Sequence, residues 1–350
     1  MNQQFKGIEI MAVANCVPKN IVPNSNFDLL LNPKEMRSFE KVVGIKERRW
    51  AASDITASDL GFHAAEQLFL KYPNLKDNIG CLIFVSQTPD YKIPATSNIL
   101  QSRLNLNNNI LCLDVNAGCA GFVQGLMTAY SIAKSQINSR VLFIIAETMS
   151  KIISKNDRST SMLFGDGASA IIIDNTGNDS AETFFNVFSD GDFSGAIQIL
   201  DGGCRNNFTG KSEYLANNNS FTENSKSLLE MDGPKVLDFT LREVVPGINN
   251  LFKNLDYNII DVDYLLLHQS NKFIMNQIGS RLNIAAEKIL INIDRFGNTS
   301  GVSIPLLLSS FKYELMDSKN LLFSGYGVGL NWGNCFLKNA SFKIIDLIEI

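Results

Sequence analysis

The sequence predicts an α/β fold made of two similar halves, and two observations carry that prediction. Short apolar, β-branched runs such as GCLIFV (80–85), RVLFII (140–145) and DYLLL (263–267) alternate with helical patterns along most of the chain. Such runs are expected of strands buried on both faces between helices. The second observation is an internal repeat. In the first half GCLIFVSQT leads to a helix ending in SRLNL (102–106), followed by the strand ILCLDV (110–115), a glycine-rich turn, a long helix and the strand RVLFIIAET (140–148). In the second half DYLLLHQS leads to a helix ending in SRLNI (280–284), the strand ILINID (289–294), the turn RFGNTSG (295–301), a helix and the strand NLLFSGYG (320–327). The order of elements coincides, so the division is placed near residue 175, giving halves 1–174 and 175–350. A polar stretch from Gly202 to Ser227, rich in Asn, Ser and Gly, reads as a surface loop or insertion.

Composition supports a large core: 45% of the 350 residues are hydrophobic and 19% charged, with a formal net charge of −4. Weak acidity supplies no general reason to expect nucleic acid or an anionic membrane as a partner. The first residues, MNQQFKGIEIMAVANCVP, show no basic segment followed by an apolar one, so no signal peptide is read there. No apolar run reaches the roughly 18 residues of a membrane span. The six cysteines (16, 81, 112, 119, 204 and 335) form no C-x-x-C pair. That spacing argues against a zinc site or a disulfide framework and for a reducing cytoplasm.

Four places carry the candidate chemistry. Cys119, in DVNAGCAGF, follows a buried strand and opens a helix. By default a cysteine is a small buried hydrophobe. Here the backbone N–H groups and positive dipole end of the helix are expected to favour thiolate. The small neighbours Ala117, Gly118, Ala120 and Gly121 leave room for a substrate. The chain has two histidines. His63 lies in an amphipathic pattern and reads as a packing residue, whereas His268 ends an apolar strand and precedes Gln269, Ser270 and Asn271. The mouth of a parallel sheet is where ligand chemistry is expected. Asn298 alone would be a turn former; it gains weight because its turn is the second-half counterpart of the Cys119 turn. In SGYGVGLNWG (324–333) closely spaced glycines let backbone N–H groups point into a cavity, as half of an oxyanion hole completed by the N–H of Cys119.

With these residues in place the chain resembles the β-ketoacyl-acyl carrier protein synthase III family of the thiolase superfamily. The resemblance runs through GIKERRW (44–50), DVNAGCAGF, DRSTSMLFGDGASA (157–170), MDG (231–233), HQSN, GNTSGVSIP (297–305) and GYGVGLNWG. It implies a thiolase-like αβαβα sandwich of five layers, a homodimer, and a catalytic triad of Cys119, His268 and Asn298. It implies an oxyanion hole from the N–H groups of Cys119 and Val328. It also implies coenzyme A or phosphopantetheine thioesters as substrates, no permanently bound cofactor, and acyl carrier protein as a partner. Asn271 and Gly233 match substrate contacts, Arg158 an arginine that grips the nucleotide end of coenzyme A, and Ile93 the segment that closes the acyl pocket from the partner subunit. Arg281 and Lys272 match or neighbour basic positions that dock the carrier.

The resemblance further implies a decarboxylative Claisen condensation: an acyl group is loaded on Cys119, and a malonyl thioester then loses CO2 and attacks it. The same triad supports transfer of the acyl group to an alcohol, amine or thiol without decarboxylation. A papain-like hydrolase also orders Cys, His and Asn along the chain, but the repeat and the buried strand before the nucleophile do not fit it. GDGASA lacks the lysine of a phosphate loop and reads as a structural turn. Where the family has a tryptophan that stacks on adenine, this chain has Ser38; an expected arginine is Phe273, and Asp238 stands at an expected basic position. These departures leave the primer's carrier open between coenzyme A and a carrier protein.

Overall fold

The buried runs pair into two sheets. The computed structural model describes residues 1–135, 139–206, 226–253 and 255–350. The chain opens with β1 (Asn2–Lys6), β2 (Ile8–Val17), β3 (Ile21–Pro23), α1 (Pro33–Val42), β4 (Glu47–Arg49) and α2 (Ala57–Lys71). It continues through β5 (Ile79–Val85), α3 (Thr96–Arg103), β6 (Leu111–Val115), α4 (Gly121–Ser135), β7 (Arg140–Thr148) and β8 (Asp166–Asn175). Then come β9 (Glu182–Ser189), the short pair β10 (Ile197–Gln198) and β11 (Glu230–Met231), α5 (Gly233–Phe239), α6 (Val245–Phe252), β12 (Tyr264–Leu267), α7 (Lys272–Arg281) and α8 (Ile293–Phe296). The last elements are α9 (Ser303–Ser310), β13 (Leu321–Gly327), β14 (Asn331–Lys338), β15 (Lys343–Ile344) and β16 (Ile348–Glu349). Residues 207–225 of the polar stretch read as a loop lie outside the described residues, and no described helix is long and apolar enough to cross a membrane.

One sheet runs β15-β2-β8-β7-β5-β6, with β16 also on β2, and the other β1-β9-β14-β13-β12. The repeat is visible strand by strand. β2, β8, β7, β5 and β6 correspond to β9, β14, β13, β12 and a single parallel bridge at Ile289. In both halves the first two pairings are antiparallel and the rest parallel. The chain ends cross over: β1 joins the second sheet, while β15 and β16 join the first.

ILINID, expected as a strand, makes only that bridge, between Leu265 and Ile289. The reason is a side chain in the ladder's place. Gln269 donates from Nε2 to the Leu290 carbonyl (3.2 Å) and accepts from the Asn292 N–H (3.0 Å), satisfying backbone groups that a longer strand would pair.

Between the sheets lie α4 and α9. Phe122, Leu126, Ile304 and Leu307 from these helices share one buried cluster with Phe143 of β7 and Phe323 of β13. The outer faces are covered by α2 and α3 on one side and by α6 and α7 on the other, which completes five layers. Phe122 joins the layers directly, stacked 6.2 Å from Phe143 and edge-on 5.5 Å from Phe323. Phe122→Ala removes a ring that is fully buried. It is expected to lower unfolding free energy by about 3–5 kcal/mol, read as a shifted denaturant midpoint.

Candidate active site

Cys119 stands between the end of β6 and the start of α4, where the Gly121 N–H donates to the Gly118 carbonyl at 2.6 Å. Two glycines bring the second half up to it. Gly327, at φ +156°, has no room for a side chain, since a Cβ there would sit 2.6 Å from the Cys119 Cβ and 3.0 Å from Sγ. A Cβ on Gly301 would lie 2.7 Å from the Gly118 carbonyl oxygen. Backbone therefore meets backbone where the two turns face each other. The Ser300 hydroxyl comes within 3.8 Å of the Cys119 Sγ.

The thiol departs from the expectation of a lowered pKa. Burial pushes it up to about 11, and the nearby Glu147 adds to the rise. Hydrogen bonds from the Ser300 hydroxyl and the Val328 and Cys119 N–H groups oppose the shift without overcoming it. Burial therefore favours the thiol over the thiolate at rest.

His268 follows β12, its N–H donating to the Ser324 carbonyl at 2.8 Å. Its Nδ1 lies 2.7 Å from Ser303 Oγ, and the Tyr326 ring stands edge-on at 5.3 Å. The Tyr326 hydroxyl donates to the His268 carbonyl at 3.1 Å. Burial pushes the imidazole down to about 3, so it is neutral across the physiological range.

Asn298 is clamped by Leu163 and by Gly165 of the GDGASA segment, which proves to lead into β8 and brace the site. The Asn298 N–H donates to the Leu163 carbonyl (2.8 Å), and its own carbonyl accepts from the Gly165 N–H (3.0 Å). Its side-chain Oδ1 accepts from the Ser300 N–H at 2.9 Å, with Ser300 held in the left-handed region at φ +52°. With the oxygen engaged, the amide offers its nitrogen, a donor, to the cavity.

A cavity of about 750 Å³ collects Cys119, His268, Asn298, Asn271, Gly233 and Val328, with a largely apolar wall that includes Met149, Phe164, Ile197 and Leu229. Asn271 caps α7 through Oδ1, which accepts the Phe273 N–H at 2.8 Å. The remaining candidates do not line this cavity. Arg158 is held by Glu35 at 3.1 Å on the surface, and the same Glu35 accepts the Asn32 N–H in the cap of α1. Ile93 is 87% exposed. Lys272 is exposed at the start of α7, and Arg281, exposed at its end, donates to the Leu241 carbonyl.

Ser300, Ser303, Tyr326 and Glu147 escaped sequence reading. The available signal was weak: Ser300 shares the turn of Asn298, Ser303 opens the helix after it, and Tyr326 sits among the glycines near Val328. Glu147 is buried at the end of β7, where it accepts the Thr88 hydroxyl (2.7 Å) and the Gln87 N–H (3.0 Å) beneath the site. Burial pushes its carboxyl up to about 7. The folded protein then keeps this proton to higher pH than the unfolded chain does. Stability is lost as pH rises from the usual carboxylate range through 7. Glu147→Gln should flatten that fall by up to about 3 kcal/mol, measured as the pH dependence of the denaturant midpoint against the parent.

Comparison with known proteins places the chain in a family. The model of the 3-oxoacyl-[acyl-carrier-protein] synthase III family matches residues 113–191, and that of its C-terminal region matches 252–339. The chain is 31% identical over 333 residues to a β-ketoacyl-[acyl-carrier-protein] synthase III of Aliarcobacter butzleri, covering 93% of this chain and 96% of that one. It is 32% identical over 340 residues to the protein of the same name from Streptococcus agalactiae, covering 94% and 98%. Among solved structures it superposes on a 3-oxoacyl-(acyl-carrier protein) synthase from Burkholderia xenovorans with a TM-score of 0.91, at 33% identity and covering 100% and 99% of the two chains. A synthase III from Thermus thermophilus gives 0.81 at 28% identity, covering 94% and 98%.

Proposed function

This chain belongs to the β-ketoacyl-acyl carrier protein synthase III family, and from that premise we propose how its own residues carry out decarboxylative condensation of an acyl thioester primer with a malonyl thioester. One observation supports the assignment above the others: Cys119, His268 and Asn298, 149 and 30 residues apart in sequence, line a single cavity.

Cys119 Sγ attacks the primer's carbonyl carbon. Its proton passes to the departing thiolate, so the acyl group changes sulfur and a free thiol leaves. The Cys119 and Val328 N–H groups hold the tetrahedral oxyanion, in the direction from which they already meet Sγ. A malonyl thioester then enters, with its pantetheine arm alongside Asn271 and Gly233. Its carboxylate leaves as CO2, and the electron pair moves into an enolate at the thioester carbonyl. His268 Nε2–H and the Asn298 amide donate to that oxygen. Both are neutral, so they stabilise the developing charge without forming an ion pair at rest. The enolate carbon attacks the acyl-cysteine; the adduct collapses to a β-ketoacyl thioester and expels the Cys119 thiolate, which takes a proton from solvent to restore the thiol.

The primer is an acyl-CoA or an acyl carrier protein, with Arg158, Lys272 and Arg281 proposed at the mouth and docking face. Halves 1–174 and 175–350 supply the nucleophile and the two donors respectively. We place a homodimer contact along β6, the unpaired edge of its sheet, where Leu111 is 51% exposed and Tyr91 and Ile93 in the neighbouring loop are 62% and 87% exposed. Open strand edges of this kind are normally covered. Ile93 would then reach the partner's acyl pocket. All six cysteines are free, in keeping with work in a reducing cytoplasm.

Intact-protein mass spectrometry after incubation with acyl-CoAs and acyl carrier proteins tests the function. A single acyl adduct is expected, absent in Cys119→Ala and discharged by malonyl carrier protein with release of CO2. An adduct that the malonyl chase leaves in place would favour transfer to another acceptor instead.

A further inference from the structure

We infer that Ser303 is a positioning residue that fixes the tautomer of His268, so that the imidazole presents an N–H, and not a lone pair, to the cavity. The inference rests on the condensation reading above and assigns the source of one of its two donors.

The hydrogen-bond chain has one direct reading. The Gln269 backbone N–H lies 3.2 Å from Ser303 Oγ and can only donate, so the hydroxyl oxygen accepts there. The hydroxyl's own proton remains to be placed. Among the described residues its other partner is His268 Nδ1, 2.7 Å away. If that proton goes to Nδ1, the ring is protonated on Nε2. The opposite tautomer would make Ser303 Oγ accept twice and leave its proton without a partner at a residue only 1% exposed. The Ser300 backbone also hydrogen-bonds the ring and favours its protonated form, against the larger effect of burial. The contact assigned to Nδ1 by position is that of the Ser303 hydroxyl, at 2.7 Å.

The frame around this contact is rigid. Ser303 is the first residue of α9, a buried helix, and Gln269 is tied through its side chain to Leu267, Leu290 and Asn292. The ring cannot turn without breaking its contact with the Ser303 hydroxyl. In this way one short segment orients both donors: the Ser300 N–H holds the oxygen of Asn298 and the Ser303 hydroxyl holds Nδ1 of His268.

The test uses the chain's two histidines, His63 and His268. Nitrogen-15 NMR of histidine-labelled enzyme, with His63→Gln to assign the signals, should show His268 as the neutral Nε2–H form from pH 5.5 to 8.5. An Nδ1–H signal in the parent overturns the inference whether or not any variant folds. In Ser303→Ala the Nε2–H form should give way to a mixture. CO2 release from malonyl thioester should fall about 10- to 100-fold while acylation of Cys119 changes by less than about threefold. Ser303→Thr, which keeps the hydroxyl, should recover most of the loss. Equal loss of acylation and CO2 release in a folded Ser303→Ala enzyme would overturn the positioning role. If Cys119 takes up no acyl group even in the parent, the condensation reading fails; the NMR result still decides the tautomer.

Discussion

The close contact of two loops governs this protein. Gly301 packs its backbone against the Gly118 carbonyl, and Gly327 packs against the side chain of Cys119, at separations that leave no room for a Cβ. The two halves can bring their turns together only at such a distance, and everything chemical follows from it. Cys119 comes from one half, while His268, Asn298 and the Val328 N–H come from the other. The layers on either side, α4 against α9 with a sheet beyond each, hold that meeting point in place through aromatic contacts such as Phe122 with Phe143 and Phe323.

Placing polar chemistry inside so apolar a core has a cost, which is met by hydrogen bonds and neutrality and not by ion pairs. His268, Asn298, Gln269, Ser300 and Ser303 are all buried. Each is bonded to backbone or to another side chain. The imidazole and the thiol both remain uncharged at rest, for the same reason: burial penalises the charged form of each. Charge then arises only during reaction, at positions already faced by N–H donors. A resting thiolate–imidazolium pair would attract the donors before substrate arrived; a neutral site holds them in reserve.

Much of this was legible in the sequence. The β-branched runs marked the buried strands, and the repeated order of elements foretold two sheets with matching strand order. Cys119, His268 and Asn298 stood out by their setting at strand ends and turns. What failed did so because its cause lies far away along the chain. The direction of the thiol shift was misjudged because the helix end is local, whereas the burial that outweighs it depends on how the whole chain packs around the site. ILINID looked like a strand, and nothing in its own composition shows that Gln269 takes over its backbone pairing. Ser303 reads as an ordinary residue of a helix start until His268, 35 positions earlier, is placed beside it. Arg158 meets Glu35 across 123 residues, a surface pair worth little in stability that nonetheless occupies the guanidinium.

At the centre stands the proposed division of labour: Cys119, with its own N–H and that of Val328, is proposed to accept the acyl chain, and His268 with Asn298 to stabilise the enolate. Rapid-quench single turnovers of folded His268→Ala and Asn298→Ala enzymes examine it directly, with acylation of Cys119 and CO2 release followed separately. Acylation should stay within about threefold of the parent while CO2 release falls about 100-fold or more. Equal losses in both steps would contradict the division and assign the two residues to activation of the thiol.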